Sequence, residues 1–104
     1  MTIICINDIF SENARKFYEQ HKVVTPQEGL LYTIRDIART RHGTGLLLEE
    51  LKNPRVYLEG EGENAMYGEP SWGLFRFKNV DNTEVTYEQL TNHYELNTTT
   101  TDNS

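Results

Sequence analysis

The chain has 104 residues, of which 37% are hydrophobic, and its formal net charge is −6. This length suits one small domain, and a single cysteine rules out an internal disulfide and favours a reducing compartment. The acidic charge is a poor match to nucleic-acid phosphates and to anionic membranes. Residues 1–45 carry six Lys and Arg against five Asp and Glu, whereas residues 46–104 carry four against eleven.

The first part of the chain predicts a strand followed by a helix. Ile3–Ile6 is short and β-branched, which is typical of a strand, and Cys5 within it reads as a small buried hydrophobe. Ser11 stands in an N-cap position, and apolar residues recur at helical spacing behind it, so Ser11–His21 predicts a short amphipathic helix. The alternative is a long irregular loop with Phe17 tucked beneath it.

The segment Leu31–Leu51 predicts a β-hairpin, because two apolar runs flank a polar, glycine-bearing link. The first strand is expected over Leu31–Arg39, and its apolar alternation changes phase near Arg35-Asp36, which indicates a bulge. The second strand is expected over Gly45–Leu51, with both faces covered. This hairpin is the element against which the shorter apolar segments would pack.

The second half of the chain is less regular. Val56–Gly68 reads as an irregular, acidic and flexible loop, Trp72–Phe77 as a strand, and Thr86–Tyr94 as a weak C-terminal helix. Asn97–Ser104 is uniformly polar and cannot repay its ordering entropy by burial, so we expect it to be disordered and dispensable. The predicted domain is therefore 1–96, followed by the tail 97–104.

Short strands, a bulge and tight turns predict a mainly β fold, all-β to α+β, in the form of a small antiparallel barrel. No internal repeat is visible, and a short helix is expected after the first strand. The residues expected in the core are apolar members of the predicted strands: Tyr32, Ile34, Ile37, Leu46, Leu48, Phe75 and Phe77.

Three motifs along the chain carry a resemblance. They are Tyr32-Thr33-Ile34-Arg35, then Gly45-Leu46-Leu47-Leu48-Glu49-Glu50, and then Gly68-Glu69-Pro70 followed by Arg76-Phe77. This pattern resembles that of a group of small proteins carried by bacteriophages, prophages and some bacterial genomes, and the likeness covers about Ile3 to Val80. The resemblance implies an SH3-like barrel and a mobile-element origin. The group has no established activity, so no catalytic residue is implied.

No chemical motif predicts catalysis, a metal or a cofactor. The three histidines and Cys5 lack ligand spacing, and a thiol in an apolar strand is a poor nucleophile. Glu49 and Glu50 are strand neighbours that point to opposite faces, so we interpret them as acceptors for Arg35 or Arg76 across the sheet. We therefore expect a chain that is not an enzyme.

Two candidate binding surfaces remain. A basic cluster at the hairpin end comprises Arg35, Arg39, Arg41 and His42, and its alternative is a solvated loop. An aromatic set flanks the acidic loop Glu59–Glu63, and its alternative is packing in the core. The members of the aromatic set that are candidate binding residues are Tyr57, Tyr67 and Trp72.

The favoured hypothesis is a non-enzymatic protein-interaction module of phage or mobile-element origin that binds a host or phage protein. One alternative is a nucleic-acid-binding barrel that uses Arg35, Arg39 and Arg41. Another is an acidic inhibitor that occupies the basic groove of a host nucleic-acid enzyme. The sequence shows no signal-peptide pattern and no apolar run long enough to span a membrane, so the host cytoplasm is expected. The oligomeric state is left open.

Overall fold

The computed structural model describes residues 1–40, 43–57 and 67–93. Seven strands and two helices lie in these ranges, together with a 3₁₀ turn at Leu74–Arg76 between the last two strands. In chain order they are β1 (Thr2–Cys5), α1 (Glu12–Gln20), β2 (Leu31–Thr40), β3 (Gly43–Leu48), β4 (Val56–Tyr57), β5 (Tyr67–Gly68), β6 (Trp72–Gly73), β7 (Phe77–Asn79) and α2 (Tyr87–His93). The predicted tail 97–104 lies outside the described residues, as does most of the predicted acidic loop.

Five strands form one antiparallel sheet in the order β6-β3-β2-β1-β7, and β4 and β5 pair separately. The long strand β2 serves two neighbours: its first residues pair with β1, and the remainder pairs with β3. The register of β2 against β3 shifts between Ile34 and Asp36, which confirms the predicted bulge. The mainly β, antiparallel prediction is also confirmed. The edge strands of this sheet are β6 and β7, and no pairing joins them in the described residues. Closure of the sheet into a barrel is therefore not established.

Most residues expected in the core are indeed buried. Leu46 and Leu48 of β3 are both 0% exposed, and Ile37 is partly buried against the same cluster. The prediction for Phe75 was wrong, because its ring is 65% exposed. The physical reason is the 3₁₀ turn Leu74–Arg76, which interrupts the predicted strand and ends its in-and-out alternation. The other expected members are buried as predicted: Tyr32, Ile34 and Phe77.

Both predicted helices are present and have side-chain caps. The Ser11 hydroxyl accepts a hydrogen bond from the Ala14 N–H at 3.1 Å, so the predicted N-cap of α1 is confirmed. At the start of α2, the Thr86 hydroxyl accepts from the Gln89 N–H, and the Gln89 side chain accepts in return from the Thr86 N–H. This reciprocal arrangement is a capping box, and it positions Leu90, which is 0% exposed. Within the described residues, no helix is both long and apolar enough to cross a membrane.

Candidate interaction surface

The described structure covers only part of the predicted basic cluster. Arg39 is an exposed residue of β2, whereas Arg41 and His42 lie outside the described residues. Arg35 is partly buried, and its Nη2 lies 2.7 Å from Glu69 Oε2. Since this guanidinium is held by a carboxylate, it is a poor candidate for a phosphate contact.

The three aromatic candidates lie in different environments. Tyr57 is 66% exposed on β4, where it pairs in register with Tyr67 of β5. Trp72 is 2% exposed, and its ring packs edge-to-face against Phe10 at 5.8 Å and Tyr18 at 5.5 Å between ring centroids. The indole of Trp72 is therefore part of the core, which is the alternative given above for the aromatic set. Tyr57 is thus accessible and Trp72 is not, while the side chain of Tyr67 lies outside the described part of the structure.

The predicted acceptor for Arg35 was Glu49 or Glu50, which follow β3, but the observed partner is Glu69, which follows β5. The same Glu69 oxygen accepts the backbone N–H of Asn53 at 2.9 Å. Glu50 instead accepts the N–H and hydroxyl of Thr33 at 2.8 and 2.9 Å, and Glu49 forms an ion pair with Lys52. The interpretation was thus right that a carboxylate holds Arg35, but wrong about which carboxylate and about its position on a neighbouring strand, because Glu69 lies outside the strands.

The Glu69 contact continues into the loop before β2. The Asn53 side chain accepts the Val24 N–H at 2.7 Å and donates to the Val24 carbonyl at 2.9 Å. Arg35 Nε also donates to the Leu48 carbonyl at 3.3 Å. This chain of charge-assisted and amide hydrogen bonds ties three connecting segments to the central hairpin. The pattern residues Arg35 and Glu69 therefore have a structural role.

Replacing Glu69 by Gln is expected to lower the free energy of unfolding by about 1–3 kcal/mol, because it leaves the half-buried Arg35 charge without its counter-ion. Urea denaturation monitored by circular dichroism measures this loss. Glu49→Gln is the matched control, since the Glu49–Lys52 pair is exposed and such pairs are worth about 0–1 kcal/mol. Equal effects of the two substitutions would contradict the assigned role of Glu69.

Arg76, the other predicted hydrogen-bond donor, has a guanidinium group that lies over two aromatic rings. Its Cζ lies 3.8 Å from the centroid of the Phe10 ring and 4.7 Å from that of Phe75, which is cation–π geometry. Its Nη1 donates to the Ile9 carbonyl at 2.9 Å and to Asn7 at 3.3 Å. Arg76 thus anchors the segment that joins β1 to α1 onto the 3₁₀ turn.

A set of neighbouring exposed apolar side chains lies on the outer side of β1 and β2. Leu31 is directly opposite Ile4 in the register, and Ile6 lies two residues beyond Ile4, on the same side of the chain. Leu30 is held beside them, because its carbonyl accepts the Cys5 N–H at 3.0 Å. With Val24 of the preceding loop, we call this set the outer apolar face. Its members are Ile4, Ile6, Val24, Leu30 and Leu31, and all but the partly buried Ile4 are 40–58% exposed.

The outer apolar face contains a shallow hollow of about 330 Å³. Val24, Leu30 and Leu31 line it together with Leu51, and Glu50 stands at its wall. This volume is at the low end of the range of about 300–1,000 Å³ found for small-ligand sites. The lining is mostly apolar. Its polar members are Thr25, Gln27, Tyr32 and Glu50, of which Glu50 alone is an acid.

Cys5 faces inward from β1 and is 1% exposed. Burial raises the pKa of the Cys5 thiol, and this exceeds the opposing effect of its hydrogen bond to the Asn7 carbonyl. A protonated, inaccessible thiol is neither a nucleophile nor a metal ligand. Among the described residues no group of three His, Cys, Asp or Glu side chains lies close enough to hold a metal ion.

We expect Cys5 to react with a thiol reagent such as 5,5′-dithiobis(2-nitrobenzoic acid) only when the fold opens. Both the raised pKa and the burial suppress the thiolate in the folded chain. The measurement is the reaction rate in buffer and in denaturant at the same pH. Equal rates in the two conditions would contradict the placement of Cys5 in the core.

The three comparisons with known proteins give the same result for this chain. No family model, no curated protein and no solved structure matches it.

Proposed function

We propose that this chain is a non-enzymatic protein-interaction module of phage or mobile-element origin, which binds a host or phage protein in the host cytoplasm. The observation that supports protein binding is the outer apolar face. A chain with only 37% hydrophobic residues leaves four large aliphatic side chains exposed beside one another there. Neighbouring exposed apolar side chains on a small domain are typical of interaction surfaces, whereas single ones need no explanation.

The proposal includes an SH3-like barrel as the scaffold. The bulge between Ile34 and Asp36 divides β2 into a part that pairs with β1 and a part that pairs with β3. The two edge strands β6 and β7 are consecutive in the chain and separated only by the three residues of the 3₁₀ turn. So short a link requires the sheet to curl until its two edges approach each other, which favours a barrel over a flat sheet.

The nucleic-acid alternative receives less support from the described residues. Of the three arginines on which it depends, Arg35 is held by Glu69 and Arg39 is exposed, while Arg41 is not described. The net charge of −6 also opposes association with phosphates. The acidic-inhibitor alternative is a special case of protein binding, in which the partner is a nucleic-acid enzyme with a basic groove.

The test is affinity capture from host cells with quantitative mass spectrometry, using the wild-type chain and two matched variants. Leu31→Ser removes an aliphatic side chain from the outer apolar face. Tyr87→Ser makes a comparable change at the start of α2, which contributes nothing to that face. We expect wild type and Tyr87→Ser to enrich the same protein and Leu31→Ser to lose it.

Capture that is insensitive to Leu31→Ser would contradict the role of this face. Salt-sensitive binding to a nucleic-acid duplex in a mobility-shift assay, abolished by Arg39→Glu, would favour the nucleic-acid alternative instead.

A further inference from the structure

We infer that the outer apolar face takes a protein segment in which an aliphatic residue is flanked by lysine or arginine. This inference rests on the proposed function and specifies the chemistry of the partner. It depends on two features of the face: the shape of its hollow and the sign of the charges around it.

The hollow is preformed for an aliphatic side chain. Its aliphatic walls are Val24, Leu30, Leu31 and Leu51. The backbones of Val24 and Leu30 are held by hydrogen bonds. Val24 makes two hydrogen bonds with Asn53, and the Leu30 carbonyl accepts the Cys5 N–H. Because these walls are already ordered, a partner loses less conformational entropy on binding than it would against a mobile loop.

Carboxylates lie around the face on more than one side. Glu50 stands at the wall of the hollow. Burial would raise the pKa of Glu50, but the two hydrogen bonds from Thr33 outweigh it and lower this pKa, so the group stays ionised. These bonds occupy one lone pair on each oxygen and leave acceptor capacity for an incoming cation.

In addition to Glu50, a pair of carboxylates lies beside Ile6 and Leu30. The Asp8 carboxylate accepts the Glu28 backbone N–H at 3.0 Å, which holds the two acidic residues next to each other. Asp8 follows Ile6 by two residues, and Glu28 precedes Leu30 by two. On the opposite side, Lys78 lies across from Ile4 in the sheet. Asp8, Glu28 and Glu50 therefore place three carboxylates around the face. Of the nearby lysines besides Lys78, Lys52 follows Leu51 and is paired with Glu49, and Lys22 precedes Val24 by two residues. A cationic partner can pair with the three carboxylates.

The same charges disfavour the other occupants of an apolar face. A second copy of the chain carries the same net charge of −6, and like charges across an interface are repulsive. A nucleic acid or an anionic membrane would meet the same repulsion. An aliphatic side chain would fill the hollow, and a neighbouring lysine or arginine would pair with the carboxylates around it.

The test is selection of a random displayed peptide library on the full chain, followed by sequencing of the bound peptides. We expect the wild type to enrich peptides in which leucine, isoleucine or valine is adjacent to lysine or arginine. The Glu28→Lys variant and the Glu28→Lys/Glu50→Lys double variant should progressively lose the basic preference. Glu88→Lys on α2 makes the same charge change away from the face and should retain it.

Anisotropy titrations of one selected peptide complete the experiment. We expect the double variant to bind at least about tenfold more weakly than the wild type, and raised salt to weaken wild-type binding. Circular dichroism spectra of each variant verify the fold. If Glu50→Lys is unfolded, Glu28→Lys alone is used, because the Glu28 side chain makes no hydrogen bond or ion pair with the described residues.

Several results would overturn the inference. They are enriched peptides without lysine or arginine, a basic preference that survives both charge reversals in a folded variant, and no enrichment of any peptide. A wild-type dimer in sedimentation that Leu31→Ser dissociates would assign the face to a second copy. If Leu31→Ser weakens every peptide but charge reversal has no effect, the partner chemistry is wrong while the proposed function stands.

Discussion

Truncation of Leu48 to Ala is expected to lower the free energy of unfolding by about 2–5 kcal/mol. Leu48 is 0% exposed in β3, where it pairs with Ile34 of β2 just before the bulge. The loss combines the transfer free energy of the removed methyl groups with the cavity left between strands that cannot collapse fully. Since small domains are stable by only about 5–15 kcal/mol, this is a large share of the total.

Leu31→Ala is the matched control, because it removes the same atoms from a side chain that is 58% exposed. Exposed substitutions of this kind usually change stability by less than about 0.5 kcal/mol. Urea denaturation of the two variants, with the slope against denaturant compared as well as the midpoint, separates core loss from changes in the unfolded state. Similar losses for both leucines would refute the burial of Leu48.

Trp72→Ala is expected to cost about 3–5 kcal/mol of stability, the largest effect of any single truncation considered for this chain. Trp72 is 2% exposed and contacts the rings of Phe10 and Tyr18, so its removal separates β6 from the segment that leads into α1. For a domain of about this size, the corresponding fall in melting temperature exceeds about 10 °C. Circular dichroism is the appropriate measurement, because the substitution removes the only tryptophan and its fluorescence.

Trp72→Phe is the control that separates packing from binding. Phenylalanine preserves an apolar ring against Phe10 and Tyr18, so we expect it to recover much of the lost stability. Any loss of partner binding in Trp72→Ala should then follow the unfolded fraction and vanish below the melting temperature of that variant. Lost binding in a fully folded Trp72→Ala chain would show that the indole contacts the partner after all.

The elements that could be predicted are those with local signals. The hairpin around β2 and β3 is encoded by two apolar runs and a glycine-bearing link, and the bulge near Asp36 by a change of phase within one run. The cap at Ser11 follows from one residue type in one position. Each of these signals lies within a few residues of the structure it produces.

The features that could not be predicted depend on distant parts of the chain. Glu69 lies 34 residues from Arg35, and nothing local distinguishes it from Glu49 or Glu50 as a partner. The burial of Phe75 was predicted wrongly, because the residues of the 3₁₀ turn Leu74–Arg76 are of types that are also common in a strand. The capping box at Thr86 and Gln89, by contrast, has a recognisable spacing that sequence reasoning missed.

The outer apolar face illustrates the same limit. Ile3–Ile6 is a continuous apolar run with one cysteine, so its sequence does not say which side faces the core. Pairing with β2 and β7 decides it: Ile3 and Cys5 are buried, and Ile4 and Ile6 face outward. The candidate surface thus follows from strand pairing, and composition alone could not identify it.

The position of β1 in the sheet, between β2 and β7, has a consequence for the order of folding. The β2–β3 hairpin closes through adjacent residues, with Thr40 opposite Gly43, whereas Ile3 must find Asn79 across most of the described chain. Hairpins form in about 1–10 μs, but contacts distant in sequence delay folding towards milliseconds or seconds. We therefore expect β1 to dock after the hairpin, late on the route to the native state. In stopped-flow kinetics, Ile3→Val should accelerate unfolding and leave the refolding rate nearly unchanged.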